Sequence, residues 1–173
     1  AREVHPYDDA CVIAGQGTVA LEVLEEIPNV DILLIPVGGG GLLSGCAMAA
    51  KQLKPDLTVI GVEPAGADDA ARSFRAGKII TQKAPNTIAD GLLTSLGSTN
   101  FPIIQKYVDD IETVDDRAIL KAMHLIWTRL KQVVEPSGAV SYAALLNSPT
   151  RFVDKNIVAV VSGGNVDPAR LPW

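Results

Sequence analysis

The chain has 173 residues, 47% hydrophobic and 20% charged, with a net charge of −5. That length and apolar fraction suffice for one well-buried core and predict a single domain over residues 1–173. The acidic balance argues against nucleic acid and anionic membrane surfaces as partners, and no apolar run approaches the roughly 20 residues of a membrane span. Aromatic residues make up only 5%, so the core must rest on Val, Ile, Leu and Ala. That bias suits parallel strands covered on both faces. Cys11 and Cys46 form no C-x-x-C pair. Without a signal-peptide pattern at the start, two reduced thiols and a cytoplasmic location are the expectation.

Residues 1–10 are polar with a Pro turn and read as a leading segment. Apolar residues at helical spacing predict a helix over Thr18–Ile27, with Thr18 as its cap. Ile32–Val37 is a short unbroken apolar run, the pattern of a buried parallel strand. Gly38–Gly41 is the turn after it, and Leu42–Leu53 a helix rich in small residues. A second strand is expected over Leu57–Val62 and a short helix over Ala67–Ala76, stopped by Gly77. The segment 78–100, with Pro85, Gly91 and Gly97, reads as irregular. Beyond it come a helix (Phe101–Val108), a short strand (Asp110–Val114), a long amphipathic helix (Asp115–Val133), a helix (Gly138–Leu146) and a last strand (Asn156–Val161). His5 and His124 make no metal-ligand pair, and Met123 and Trp127, four apart, read as core. Strands alternating with helices predict an α/β fold: a twisted, mainly parallel sheet with helices on both faces.

Four consecutive glycines, Gly38–Gly41, close the first strand and open a helix. Such a run is entropically costly unless the backbone itself has a task. Without side chains, successive N–H groups can converge on an anion, and the following helix adds its positive end. The dinucleotide fingerprint G-x-G-x-x-G fails here, because Leu43 or Ser44 stands where its last glycine belongs. The nucleotide P-loop fails too, because Cys46 stands in place of its lysine. A phosphate-bearing ligand of another kind is expected.

Five motifs occur in order: V-I-A-G-Q-G-T (12–18), P-V-G-G-G-G-L (36–42), T-I-A-D-G (87–91), V-D-D-I (108–111) and V-V-S-G-G-N-V-D (160–167). Together they resemble the C-terminal half of serine racemases and the related serine/threonine dehydratases, fold type II enzymes of pyridoxal phosphate. The resemblance covers Val4 to Asp167. It implies that Gly38, Gly39, Gly40, Gly41 and Leu42 hold the cofactor phosphate and that the Ser162 hydroxyl faces the pyridine nitrogen. It also implies a Mg²⁺ (or Ca²⁺ or Mn²⁺) site made by Glu63, the Ala67 carbonyl and Asp69, oxygen ligands of the kind those hard cations take. A glutamate at position 63 tilts the resemblance toward the racemases. The plain alternative is a Pro turn whose acidic residues cap a helix. Lys131 and Asn165 match positions that contact an activating nucleotide such as ATP in some racemases, although Lys131 reads equally as a solvated helix lysine. Glu135 matches a glutamate near the cofactor ring, although it reads equally as a helix-end residue. Tyr7 departs from the animal racemases, which carry asparagine there, and leaves substrate preference open.

The implied activity is racemisation of serine with β-elimination from serine or threonine, in a protein that assembles as a homodimer. Pyridoxal phosphate chemistry needs a Schiff-base lysine. None of the eight lysines matches it; Ser73-Phe74-Arg75 only looks like the family's lysine segment, since arginine cannot form the imine and its position matches a different part of the family sequence. The implied lysine and the S-G-N-H-G loop therefore belong to the other half of the enzyme, and these 173 residues alone are expected to be inactive. The remaining readings are a dehydratase without racemase activity and a non-catalytic domain that binds a phosphate ligand.

Overall fold

The computed structural model describes residues 4–171 and 173; the first three residues of the leading segment lie outside this range. Among the described residues four strands form one parallel sheet: β1 (Ile32–Pro36), β2 (Thr58–Pro64), β3 (Asp110–Val114) and β4 (Ile157–Ala159), in the order β3-β2-β1-β4. The main helices are α1 (Ala10–Gln16), α2 (Thr18–Glu26), α3 (Gly41–Leu53), α4 (Asp69–Ala76), α5 (Asn100–Tyr107), α6 (Asp116–Leu125) and α7 (Pro136–Asn147). The α/β architecture expected from the sequence is the one observed.

Successive strand side chains point to opposite faces, and both faces are covered. Leu33 and Ile35 of β1, Val59 of β2 and Ile111 of β3 pack with residues of α2, α3, α4 and α5. Ile32 and Leu34 of β1 and Ile60 and Val62 of β2 pack on the other side with Ala118, Ile119, Ala122 and Met123 of α6 and Ala139, Val140 and Ala143 of α7. This two-sided burial is why β1 reads as an unbroken apolar run.

The topology places the site. From β1 the chain steps to β2 and then β3, its helices on one face. It then crosses by α6 and α7 on the other face and enters β4, on the far side of β1. The winding direction therefore reverses between β1 and β4. In open parallel sheets the crevice beyond the carboxyl ends of two such strands is where ligands bind. The glycine run follows β1 and Ser162 follows β4.

Several boundaries differ from expectation. Helix α1 has no counterpart in the sequence reading. It is held by the Asp9 carboxylate, which accepts from the N–H groups of Cys11 (2.8 Å) and Val12 (3.3 Å), and by packing on α3. The long helix expected over Asp115–Val133 stops being regular at Leu125. A wide π-type turn (Ile126–Leu130) follows, and Lys131 then adopts a left-handed φ of 58°. Trp127 Nε1 donates to the Val134 carbonyl at 2.8 Å, tying the returning chain against the turn. Helix α7 starts at Pro136, not Gly138, because the fixed φ of proline suits the first turn of a helix. Strand β4 is shorter than expected and, among the described residues, pairs with β1 alone.

Candidate cofactor site

Gly38–Leu42 line a cavity of about 160 Å³ together with Tyr7, Gln16, Pro36, Gly91, Leu92, Thr94 and Ser162. Among the described residues, no protein acceptor takes the backbone N–H of Gly38, Gly39, Gly40, Gly41 or Leu42. Buried amides without partners are rare because each forfeits a hydrogen bond. Five in succession, at the N-terminus of the 13-residue α3, form a concavity that suits an anion.

The glycines are required where they stand. Gly40 has φ +92°, a conformation L side chains seldom adopt. A Cβ on Gly39 would enter the Tyr7 ring, and one on Gly41 would lie 2.6 Å from Gln16 Oε1. Thr94 Oγ1 lies 3.0 Å from where a Gly38 Cβ would be. Gln16 Oε1 and Thr94 Oγ1 are both buried and without hydrogen-bond partners among the described residues. A loop of free amides beside the unpartnered Thr94 hydroxyl, which can donate, fits a phosphate group.

Ser162 opens the far wall of this cavity and also borders a second one with Ile126, Leu130 and Val133. Glu135 is half-buried beside Gly163, whose carbonyl accepts the Glu135 N–H at 3.0 Å. Burial, reinforced by the charge of Asp90, pushes the Glu135 carboxyl above its usual range.

Glu63, at the end of β2, is fully buried. Its Oε1 and Oε2 accept from the N–H groups of Ala70 (3.0 Å) and Ala71 (2.9 Å) at the start of α4. Burial, aided by the nearby charges of Asp69 and Asp68, pushes its carboxyl up to about 8 against those hydrogen bonds. Asp69 is fully buried too; its Oδ2 accepts from Leu96 N–H at 2.8 Å while its Oδ1 has no partner among the described residues. Burial likewise raises its pKa. The backbone of Ala67 lies in the single turn between them. The helix-capping alternative is thus realised for Glu63, whose two oxygens are both taken by amides of α4, while Asp69 keeps one unpartnered oxygen among the described residues. No group of three or more His, Cys, Asp or Glu side chains that could hold a metal occurs among the described residues; the expected set has two carboxylates and a carbonyl.

Lys131 and Asn165 border different surroundings. Lys131 Nζ folds back onto the Thr128 carbonyl at 2.8 Å, whereas Asn165 lines a cavity with Asp90, Pro136 and Arg170. His5 Nδ1 accepts the Asp8 N–H at 2.9 Å. His124 is exposed, edge-on to Trp173. Met123 is core as expected. Sequence reasoning did not single out Gln16, Thr94 or Asn100, which the fold brings to the glycine loop. Thr94 and Asn100 lie inside a stretch legible only as irregular.

Residues 1–163 match the family described as pyridoxal-phosphate dependent enzyme. The chain is similar to a serine racemase of Arabidopsis thaliana (51% identical, covering 97% of this chain and 52% of that protein) and to a beta-hydroxyaspartate dehydratase of Paracoccus denitrificans (47%, covering 98% and 54%). The structure superimposes on the crystal structure of a T.th. threonine deaminase with a TM-score of 0.91 at 49% identity, covering 95% of this chain and 62% of that one. The chain thus spans about half the length of the curated relatives it matches. With its switch-point crevice, its fan of free amides and these similarities, the chain belongs to the pyridoxal-phosphate dependent enzymes of fold type II.

Proposed function

We propose that the protein carrying this chain is an amino-acid racemase and ammonia-lyase acting on small hydroxy amino acids such as serine and threonine. The observation that carries this reading is the row of five amides, without acceptors among the described residues, that shares one cavity with Ser162 at the carboxyl ends of β1 and β4. Gly38–Leu42 hold the phosphate of pyridoxal phosphate, and the α3 N-terminus adds favourable charge. When bound, that cofactor supplies a conjugated ring that accepts electron density from the substrate α-carbon. Ser162 offers the ring nitrogen a neutral hydroxyl. A hydroxyl stabilises a proton there less than a carboxylate does, so the nitrogen is left without a fixed charge. The Tyr7 ring covers Gly39 and limits water beside the phosphate. Among the described residues no lysine lines the cavity, and the covalent lysine is assigned to the remainder of the protein.

Glu63, Asp69 and the Ala67 carbonyl are proposed to hold Mg²⁺. Asp69 reaches the cofactor site through Leu96, whose N–H it accepts and whose side chain packs against Gly40. The cation therefore stiffens one wall of the cradle. The full-length protein should convert L-serine to D-serine and to pyruvate, with Mg²⁺ raising both rates. Glu63→Gln and Asp69→Asn should abolish the Mg²⁺ effect; its persistence in both rejects the metal site. Failure to form either product refutes the main reading, and pyruvate alone selects a dehydratase. A homodimer is proposed for the complete protein and is tested by sedimentation.

A further inference from the structure

We infer that Asn100 is a positioning residue for the phosphate cradle: by holding the Gly39 carbonyl, it aims the Gly40 N–H at the bound phosphate. The inference rests on the phosphate reading of the glycine loop and adds to it a residue outside every motif of the sequence.

Asn100 is the first residue of α5 and is fully buried. Its Nδ2 donates to the Gly39 carbonyl at 2.9 Å and to the Tyr7 carbonyl at 2.9 Å. Carbonyl oxygens only accept, so the NH₂ group must face them. The Gly97 N–H donates to the same Gly39 oxygen at 2.9 Å. Both bonds to this oxygen thus come from the α5 side of the loop. In a trans peptide the C=O and N–H point in opposite directions, and no cis peptide bond occurs among the described residues. Fixing the Gly39 carbonyl toward α5 therefore turns the Gly40 N–H the other way, into the cavity that Gly40 lines.

The arrangement is anchored on both sides. Asn100 Cβ lies 3.1 Å from the position of a Gly40 Cβ, and the Asn100 carbonyl accepts from Ser44 Oγ of α3 at 3.3 Å. The second Nδ2 bond, to Tyr7, ties the leading segment over Gly39. Asp8 reinforces that strap by accepting from the N–H groups of Ser98 (3.0 Å) and Thr99 (2.8 Å). An asparagine is suited to this place because one NH₂ group supplies two donors. A leucine has the same reach and no donor.

The test compares pyridoxal phosphate with pyridoxal, which lacks the phosphate, in the full-length protein. Dissociation constants are read by fluorescence titration, and ³¹P NMR reports the bound phosphate directly. Loss of one hydrogen bond near a charged group corresponds to roughly a 3- to 10-fold weakening. Asn100→Leu should raise the dissociation constant for pyridoxal phosphate by that factor, shift the ³¹P resonance and leave pyridoxal unchanged. Asp8→Ala loosens the strap without touching Gly39 and should leave the preference for the phosphorylated form intact. If Asn100→Leu does not fold, Asn100→Ser keeps one donor and should show a smaller effect of the same kind. Equal weakening of both ligands, or no weakening of either, overturns the inference. A wild-type protein that binds both ligands equally overturns the phosphate reading itself, a separate and distinguishable outcome.

Discussion

Two glycines with left-handed φ, Gly40 (+92°) and Gly77 (+65°), give a matched test of how tightly the cradle is packed. Gly77 ends α4 and has nothing within 4 Å of where its Cβ would stand. Gly77→Ala thus carries backbone strain alone, roughly 1–2 kcal/mol. Gly40 differs in its surroundings. Its Cβ would meet Leu96 Cδ1 at 2.8 Å, Ile104 Cδ1 at 3.0 Å and Asn100 Cβ at 3.1 Å. All three neighbours are buried, so they yield poorly, and overpacking adds roughly 1–3 kcal/mol. The lower entropy of the unfolded alanine chain offsets a few tenths to about 1 kcal/mol in either variant. The expected losses are about 1 kcal/mol for Gly77→Ala and about 2–3 kcal/mol for Gly40→Ala. For 150–250 residues the latter is a fall in melting temperature of roughly 4–12 °C, and in the longer full-length protein the fall is smaller. Thermal and urea denaturation of the full-length protein, stripped of cofactor, measure both. Equal losses would show that the loop is not closely packed, and a preformed cradle would no longer follow from Gly40.

Burial pushes the Cys46 thiol up to about 12, so iodoacetamide should leave Cys46 unlabelled in the native protein and label it in urea, as read by peptide mass spectrometry. Asp8 behaves oppositely. Burial alone would raise its pKa, but the hydrogen bonds from Thr99 and Ser98 outweigh that and hold it below 3.8. A carboxylate with a lowered folded pKa contributes stability that is present above its unfolded value and lost as pH falls through the folded one. The Ser98 and Thr99 amides should therefore keep their protection from hydrogen exchange through the ordinary aspartate range and lose it only below that range. Loss of protection at any higher pH would contradict this. Asp116 Oδ2 accepts the Ile88 N–H at 3.1 Å while Oδ1 accepts from the Thr87 hydroxyl, holding the stretch of chain that leads to Gly91 and Thr94. Asp116→Ala should cost about 1–3 kcal/mol and weaken pyridoxal phosphate binding. Unchanged binding would detach this anchor from the site.

The class of fold and the place of the anion loop were legible in the sequence for local reasons. Ile32–Val37 is apolar without a break because both faces of β1 are buried. Four glycines follow because their Cβ positions are crowded by Thr94 and Leu92 at Gly38, Tyr7 at Gly39, Leu96 and Asn100 at Gly40, and Gln16 at Gly41. The order of motifs identified the family without any geometry. Element ends were less legible. Helix α1 depends on a single capping carboxylate and on contact with α3, and the break after Leu125 depends on a hydrogen bond that crosses a turn.

What only the tertiary structure decided is which distant residues meet. The reversal of winding between β1 and β4 brings Ser162 opposite a loop far earlier in the chain, and no periodicity encodes strand order. Asn100 lies 61 residues from Gly39 in a stretch with no repeating pattern, yet its amide sets the direction of a peptide in the cradle. Sequence patterns record what each segment buries along its own length. The partner across the crevice is chosen by packing of the whole chain, and the site is made of such partners.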